Sequence, residues 1–117
     1  MKKKYRIKKN LEFTRIIKEN NCIKNNRYTV FYDLKREDIS RIGLSVSKKL
    51  GNAPIRNKIK RQLRMMFIEN YNFKDSPLDF IIIVRKDYLN HPYEDNKNDL
   101  EKLIKHAIIK QCEERTL

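Results

Sequence analysis

A strand, a helix and a second strand are predicted in succession between Arg41 and Val84, and this succession constrains the fold more than any other feature. Arg41–Ser47 alternates apolar residues with small or polar ones, as a strand with one buried face does. Phe80–Val84 is apolar at every position, which indicates a strand buried on both faces. We therefore expect a strand–helix–strand crossover with both strands in one sheet. Such crossovers are right-handed in about 98% of cases.

The helix between these strands is predicted to begin at Pro54, which suits a first helical turn because that position needs no N–H donor. The chain turns at Gly51-Asn52, and Asn52 is the expected N-cap. The helix is expected to end near Tyr71. Apolar residues recur along it at three- and four-residue steps and predict one buried stripe, formed by Ile55, Ile59, Leu63, Met66 and Phe67.

Another side of this helix carries cations at four-residue steps, and no acid stands between Arg56 and Arg64. Like charges one turn apart repel each other by roughly a few tenths of a kcal/mol per pair. The helix therefore loses local stability and gains a dense positive stripe, which favours a polyanionic partner with regularly spaced charges. A merely solvated basic face is the alternative interpretation.

The composition bounds the choice of partner and compartment. The 117 residues include 28 Lys and Arg against 15 Asp and Glu, a net charge of +13 that points to nucleic acid or an anionic membrane surface. No apolar run approaches the roughly 18 residues of a membrane span. The basic N-terminus lacks the apolar stretch of a signal peptide. Charge alone does not choose between these two partners. We expect a cytoplasmic protein with a single domain over residues 1–117, in which residues 1–9 form a mobile basic arm.

The stretch from Gly43 to Arg64 resembles the signature of the bacterial ribonuclease P protein subunit. The matching segments are Gly43–Lys49 and Gly51-Asn52-Ala53, and the matching helix residues are Arg56, Asn57, Ile59, Lys60, Arg61 and Arg64. The sequence departs from the family at three positions. Pro54 stands where Val is usual, Lys58 where Arg is commonest, and Met65 where the family often has an acid. Lys58 keeps the positive charge but lacks the bidentate fork of Arg.

The resemblance implies an α+β fold like that of ribosomal protein S5 domain 2, with a small, mostly antiparallel sheet and helices. It also implies a left-handed crossover, for which the sequence gives no independent support. The implied function is to bind the catalytic RNA of ribonuclease P and the 5′ leader of precursor tRNA, and so to assist endonucleolytic removal of the leader. Residues 1–117 would thus form a single RNA-binding domain. The chemistry and its Mg²⁺ ions would belong to the RNA, and neither a membrane partner nor an obligate protein partner is expected. The residues predicted to bind the RNA subunit are Lys48, Lys49, Arg56, Asn57, Lys58, Lys60, Arg61 and Arg64.

A first helix is predicted from Asn10, its cap, to about Asn20. The resemblance implies that aromatic residues on this helix line the cleft for the leader. Phe13 stands at such a position, and Ile17 stands where a second Phe is common. The alternative is that Phe13 and Ile17 are ordinary core residues.

Two further strands are predicted at Cys22–Lys24 and Tyr28–Leu34, and Lys35–Ser40 is read as a hairpin loop leading into Arg41–Ser47. Tyrosines on one face of the second strand would lie beside the small residues of the returning strand, on a roomy surface where unpaired bases stack. Solvated tyrosines without a ligand are the alternative. The predicted leader-binding residues are Phe13, Ile17, Tyr28, Tyr32 and Ser45.

No catalytic residue, metal site or protein-bound cofactor is predicted. Phosphodiester hydrolysis usually requires clustered carboxylates and divalent ions, whereas the acids here are scattered and neither His91 nor His106 shares a ligand spacing with another residue. Cys22 and Cys112 are expected to be reduced packing residues, and a last, structural helix is expected from Tyr93 or Asn98 to Glu114. Two rival functions remain at this point: a non-catalytic, ribosome-associated protein that binds rRNA, and a stand-alone nuclease.

Overall fold

The computed structural model describes residues 2–7 and 10–116, and it leaves the side chains of 114–116 undescribed. Within these ranges the chain forms three α-helices, four strands and three short 3-10 turns. The helices are α1 (Asn10–Lys18), α2 (Ala53–Asn70) and α3 (Tyr93–Thr116); the strands are β1 (Cys22–Lys24), β2 (Tyr28–Leu34), β3 (Ile42–Ser45) and β4 (Leu78–Val84); the 3-10 turns are Lys3–Tyr5, Lys48–Leu50 and Lys86–Asn90.

The four strands form one mixed sheet in the order β1-β2-β4-β3. β2 pairs antiparallel with β1 and β4, whereas β3 pairs parallel with β4. This architecture confirms the predicted α+β fold and the crossover from β3 through α2 to β4. The predicted hairpin between β2 and β3 is wrong, because β4 lies between them. Phe80–Val84 of β4 is apolar on both sides, so the sheet interior, where both edges of the strand are paired, is the position that buries it best.

The larger core lies between one face of the sheet and helices α2 and α3. Tyr28 and Tyr32 belong to this core, with exposed fractions of 0% and 1%. The Tyr28 hydroxyl donates a hydrogen bond of 2.8 Å to the backbone carbonyl of Asn96 on α3. The prediction that these two tyrosines form an open face is therefore wrong. Strand pairing explains it: Tyr32 stands opposite Phe80, which stands opposite Ile42, and all three face the helices.

Helix α1 crosses the opposite face of the sheet. Its Ile16 is buried together with Ile7 and Ile81, and Phe13 packs at the margin of this smaller cluster. Two ion pairs hold the helix to the sheet: Arg15 pairs with Asp33, and Glu12 Oε1 accepts a hydrogen bond of 2.8 Å from Arg41 Nη1.

The first residues of the chain pack against the edge of the sheet. Ile7 is 4% exposed, and its N–H donates a 2.9 Å hydrogen bond to the carbonyl of Ile42 on β3. The described part of the predicted mobile arm, residues 2–7, is thus docked in this structure. Lys8 and Lys9 lie outside the described residues, as does Met1.

The remaining elements agree with the sequence in type and place. α2 is capped by Asn52, β1 is an edge strand, and α3 begins at Tyr93, the earlier of the two predicted starts. Cys22 and Cys112 are not joined in a disulfide. Cys22 is half-buried, whereas Cys112 is exposed, so the prediction of a packing residue is wrong for Cys112. In the described ranges, no helix combines the length and the apolar character needed to cross a bilayer.

The burial of Tyr28 can be tested by removing its hydroxyl. Tyr28→Phe leaves the buried Asn96 carbonyl without its donor, so we expect the free energy of unfolding to fall by about 1–2 kcal/mol in urea titrations. Tyr93→Phe is the matched control, because the buried hydroxyl of Tyr93 has no hydrogen-bond partner in the described structure. An equal loss of stability in both variants, or none in Tyr28→Phe, would contradict the placement of Tyr28.

Candidate nucleic-acid interface

The connection from β3 to α2 is a tight turn whose backbone is fixed by short side chains. The Ser47 hydroxyl accepts a 3.0 Å hydrogen bond from the Lys49 N–H, and the Asn52 side-chain oxygen accepts one of 3.2 Å from the Ile55 N–H. Gly51 between them has φ +148°, a conformation that favours glycine. The turn thereby exposes Lys48 and Lys49 immediately before the helix.

Helix α2 has one buried face, as its apolar spacing predicts. Ile59, Leu63, Met66 and Phe67 are all less than 5% exposed. Ile55 is the exception at 41%, because the first turn of the helix lies against Gly51 and not against the core: a Cβ on that glycine would stand 3.0 Å from the Ile55 side chain.

The other faces of α2 carry an uncompensated positive charge. Arg56, Lys60 and Arg64 are half-buried, whereas Lys58 and Arg61 are exposed together with Asn57. Among the described residues, no salt bridge reaches any of these cations or the two lysines before the helix. The five α2 cations and Lys48 and Lys49 thus form a single surface, which we call the basic surface.

The surroundings of Arg64 show that the basic surface lacks a neutralising anion. Partial burial lowers the pKa of the Arg64 guanidinium, and the nearby positive charge of Arg6 lowers it further. The Nε atoms of Arg56 and Arg64 are buried without a hydrogen-bond partner in the described structure. An anion placed against these guanidinium groups would relieve the repulsion and accept the unused hydrogen bonds.

Two cations outside the predicted set, Arg85 and Lys86, extend the basic surface. A recess of about 680 Å³ lies between the turn at Ser47–Leu50 and the end of β4, and Lys49, Arg85 and Lys86 line it. Arg85 and Lys86 directly follow the buried strand. Because β3 and β4 are parallel neighbours, the residues that follow them meet at the same end of the sheet. The predicted crossover could therefore have indicated that Arg85 and Lys86 lie near Lys49.

One row of residues on the α1 side of the sheet remains open. Pairing places Lys24, Thr29, Ile83 and Ser45 opposite one another across all four strands, and residues paired in this way share a face. Lys24 is exposed, and the other three residues are half-buried. We call this row the cleft floor.

The neighbouring row, Cys22, Phe31, Ile81 and Gly43, lies under α1. The ring of Phe13 sits directly on Gly43, where a Cβ would come within 2.7 Å of it. Helix α1 therefore forms one side of the cleft, which we call the wall. The rings of Phe13 and Phe31 lie where this wall meets the sheet.

The structure separates the predicted leader-binding residues into two groups. Phe13 and Ser45 lie at this cleft, and Ile17, one turn after Phe13, is 38% exposed. Tyr28 and Tyr32 lie on the opposite side of the sheet and cannot contact the same ligand. Alternation along β2 correctly separates its two faces, but both contain aromatic residues, so the pattern did not show which face α2 and α3 cover. Residues missed for this reason are Lys24, Thr29, Phe31 and Ile83.

The acids on this face are engaged with arginines. Asp33 and Asp79 form the next row beyond Phe31 and Ile81; Arg15 contacts Asp33, and the Arg41 N–H donates a 2.9 Å hydrogen bond to Asp79. Burial raises the pKa of Asp79, although Arg41 opposes this shift. No group of three or more His, Cys, Asp or Glu side chains in the described chain is arranged to hold a metal ion.

The cleft predicts an affinity for unpaired bases. Phe31→Leu keeps apolar packing under α1 but removes the ring, and base–aromatic stacking is worth roughly 1–3 kcal/mol. We expect about a fivefold weaker affinity for a short single-stranded RNA in fluorescence titrations. Tyr32→Phe, a change on the buried face, is the control and should leave the affinity unchanged. If Phe31→Leu binds as tightly as the control, this cleft is not a stacking surface.

Comparison with known sequences agrees with the resemblance carried by Gly43–Arg64. The family model described as Ribonuclease P matches residues 1–108. The chain is 38% identical over 112 residues to the ribonuclease P protein component of Bacillus pumilus (strain SAFR-032), covering 95% of this chain and 94% of that protein. It is 43% identical to the component from Bacillus mycoides (strain KBAB4), with coverage of 95% and 97%.

Solved structures give the same result for the fold. The RNase P protein of Staphylococcus aureus is similar with a TM-score of 0.77 and 39% identity, over 88% of this chain and 94% of that one. The RNase P protein of Thermotoga maritima is similar with a TM-score of 0.76 and 28% identity, over 86% and 96%.

Proposed function

The chain belongs to the ribonuclease P protein family, and we propose that its basic surface binds the catalytic RNA of that ribonucleoprotein while its cleft holds the 5′ leader of precursor tRNA. The role of protein subunit of ribonuclease P follows from the family. The assignment of surfaces is supported by one observation above all: seven neighbouring cations on and before α2 have no acidic partner in the described structure.

Binding to the RNA subunit would work through phosphate neutralisation. Each phosphate contact made by Lys or Arg releases condensed counterions, which supplies much of the affinity and makes it salt-dependent. Exposed residues such as Lys58 and Arg61 reach phosphates without losing an internal contact. Asn57, exposed between them, can donate and accept hydrogen bonds with sugars or base edges. The full set proposed for this contact remains Lys48, Lys49, Arg56, Asn57, Lys58, Lys60, Arg61 and Arg64.

The cleft suits a single strand better than a duplex, because rings such as Phe13 and Phe31 can stack only on bases that are not already stacked and paired within a helix. The 5′ leader is the unpaired part of precursor tRNA. The floor offers apolar contact at Ile83 and a hydroxyl at Ser45, and cations at both ends, Lys24 on one side and the basic surface on the other, attract the phosphates. Ile17 extends the wall without a ring, so its contribution is limited to apolar contact.

We assign the cleavage chemistry and its Mg²⁺ ions to the RNA subunit. The carboxylates on this side of the sheet, Glu12, Asp33 and Asp79, are engaged with arginines, and Asp79 is fully buried. None of them is therefore available to activate a water molecule. The protein contributes positive potential instead. Drawing the leader into the cleft raises substrate affinity, and reducing phosphate repulsion favours occupation of metal sites that belong to the RNA.

The contribution of α2 can be measured through salt dependence. Replacing Lys58 and Arg61 together by Ala removes two phosphate contacts. For binding to a ribonuclease P RNA, we therefore expect the negative slope of log K against log salt concentration to become shallower by about two. The matched control replaces two exposed lysines of α3, Lys102 and Lys110, by Ala, which changes the net charge equally. Equal slopes in both double variants would remove α2 from the interface.

The cleft can be tested by introducing a negative charge. Thr29→Glu places a carboxylate on the cleft floor, where it repels leader phosphates, so the holoenzyme should bind precursor tRNA about tenfold more weakly and mature tRNA as before. Thr14→Glu puts the same charge on the exposed side of α1 and should spare both substrates. An equal loss for precursor and mature tRNA in Thr29→Glu would place the leader elsewhere.

A further inference from the structure

The N-terminal segment, residues 2–7, lies between the edge of β3 and helix α2. Arg6 bridges to Ile42 in parallel register, and the Ile7 N–H bonds to the Ile42 carbonyl. The ring of Tyr5 stacks on Phe73, in the turn after α2, with a centroid distance of 4.2 Å. Contacts at both ends therefore fix the position of Tyr5 and Arg6 relative to the helix.

Arg6 and Arg64 are neighbours on this surface, because Tyr5, the residue before Arg6, and Ile68, one helical turn after Arg64, line the same recess. The charge of Arg6 is close enough to lower the pKa of Arg64, and Arg64 is already half-buried on α2. Its Nε atom has no hydrogen-bond partner in the described structure. Two neighbouring guanidinium groups suit a phosphate, which accepts paired hydrogen bonds from Arg.

The charges around Arg6 are mostly positive. A recess on its other side is lined by four cations and two acids: Lys3, Lys4, Arg6, Arg41, Glu37 and Asp38. Of these cations, Arg41 is engaged with Glu12 and Asp79. The acids lie in the β2–β3 loop, and both are exposed.

An apolar recess lies beside the two arginines. It has a volume of about 340 Å³, and Lys2, Tyr5, Ile68, Tyr71 and Phe73 line it. Ile68, one helical turn after Arg64, is 53% exposed. The Lys4 ammonium lies 5.1 Å from the centre of the Tyr5 ring, a contact that is weak at an exposed site and that a stacked base can replace.

We propose that the N-terminal segment and α2 together form a binding site for one unpaired nucleotide of the ribonuclease P RNA. Arg6 and Arg64 hold its phosphate, while Tyr5 and Ile68 contact its base. This inference rests on the proposed binding of RNA by α2. It adds a second element to that interface and a base contact to a surface otherwise described only by its charge.

The phosphate contact is tested with Arg6→Gln in the full-length protein, titrated against a ribonuclease P RNA over a range of salt concentrations. We expect about a tenfold loss of affinity, and a negative slope of log K against log salt concentration that is shallower by about one. Arg36→Gln, an exposed arginine in the β2–β3 loop, is the control and should leave both unchanged. Arg6→Lys keeps the charge, so the slope should stay while affinity falls a few-fold. An unchanged slope in a folded Arg6→Gln variant would overturn the proposal.

A shared phosphate also predicts coupling between the two arginines. The double variant Arg6→Gln with Arg64→Gln should lose less affinity than the product of the single losses, since either change disrupts the same contact. Fully multiplicative losses would mean that the two residues contact separate phosphates, and would overturn the shared site.

The base contact is tested with Tyr5→Leu, which keeps apolar packing on Phe73 but removes the ring. Affinity for the RNA should fall about three- to tenfold with no change in salt slope, because stacking releases no counterions. An unchanged affinity would overturn the base contact. The outcomes are separable from the proposed function: loss of binding in the Lys58 and Arg61 variant, with wild-type behaviour in Arg6→Gln and Tyr5→Leu, would leave α2 as the interface and exclude the N-terminal segment.

Discussion

The structure depends on the burial of β4 on both faces. Because Phe80–Val84 within β4 is apolar on both sides, each face of the sheet needs a cover. Helices α2 and α3 cover one face, whereas the nine residues of α1, together with Ile7, pack on the other. A helix is roughly 10 Å wide and a seven-residue strand about 23 Å long, so α1 leaves part of its face open. The cleft floor is that uncovered part.

The same crossover that buries β4 also places the charge. α2 joins two adjacent parallel strands, so its start and the end of β4 lie at one edge of the sheet. Lys48, Lys49, Arg85 and Lys86 meet there, close to Ser45 on the cleft floor. The basic surface and the cleft are therefore continuous, and one RNA-bound protein can attract the phosphates of a substrate strand while it holds its bases. The repulsion among the α2 cations is tolerated because its buried face anchors the helix.

The sequence predicted what depends on local spacing. The four-residue recurrence of cations and apolar residues defined α2, and the Asn52 cap and Gly51 turn fixed its start. What failed depended on contacts between distant residues. The insertion of β4 between β2 and β3 has no local signal, and a strand that is apolar on both faces does not indicate which face is covered by helices. Tyr28 and Tyr32 were assigned to the open face for that reason, and Thr29, Phe31 and Ile83 were overlooked. The docking of residues 2–7 depends on two side chains, Tyr5 stacked on Phe73 and the buried Ile7, within a run of cations.

The most direct test of this account is cleavage of precursor tRNA by a bacterial ribonuclease P RNA at a magnesium concentration too low to support the RNA alone. We predict that adding this protein restores cleavage at the mature 5′ end, and that the protein without the RNA cleaves nothing. Cleavage by the protein alone would contradict the assignment of the chemistry to the RNA. Failure to stimulate the RNA would contradict the proposed role of the basic surface and the cleft.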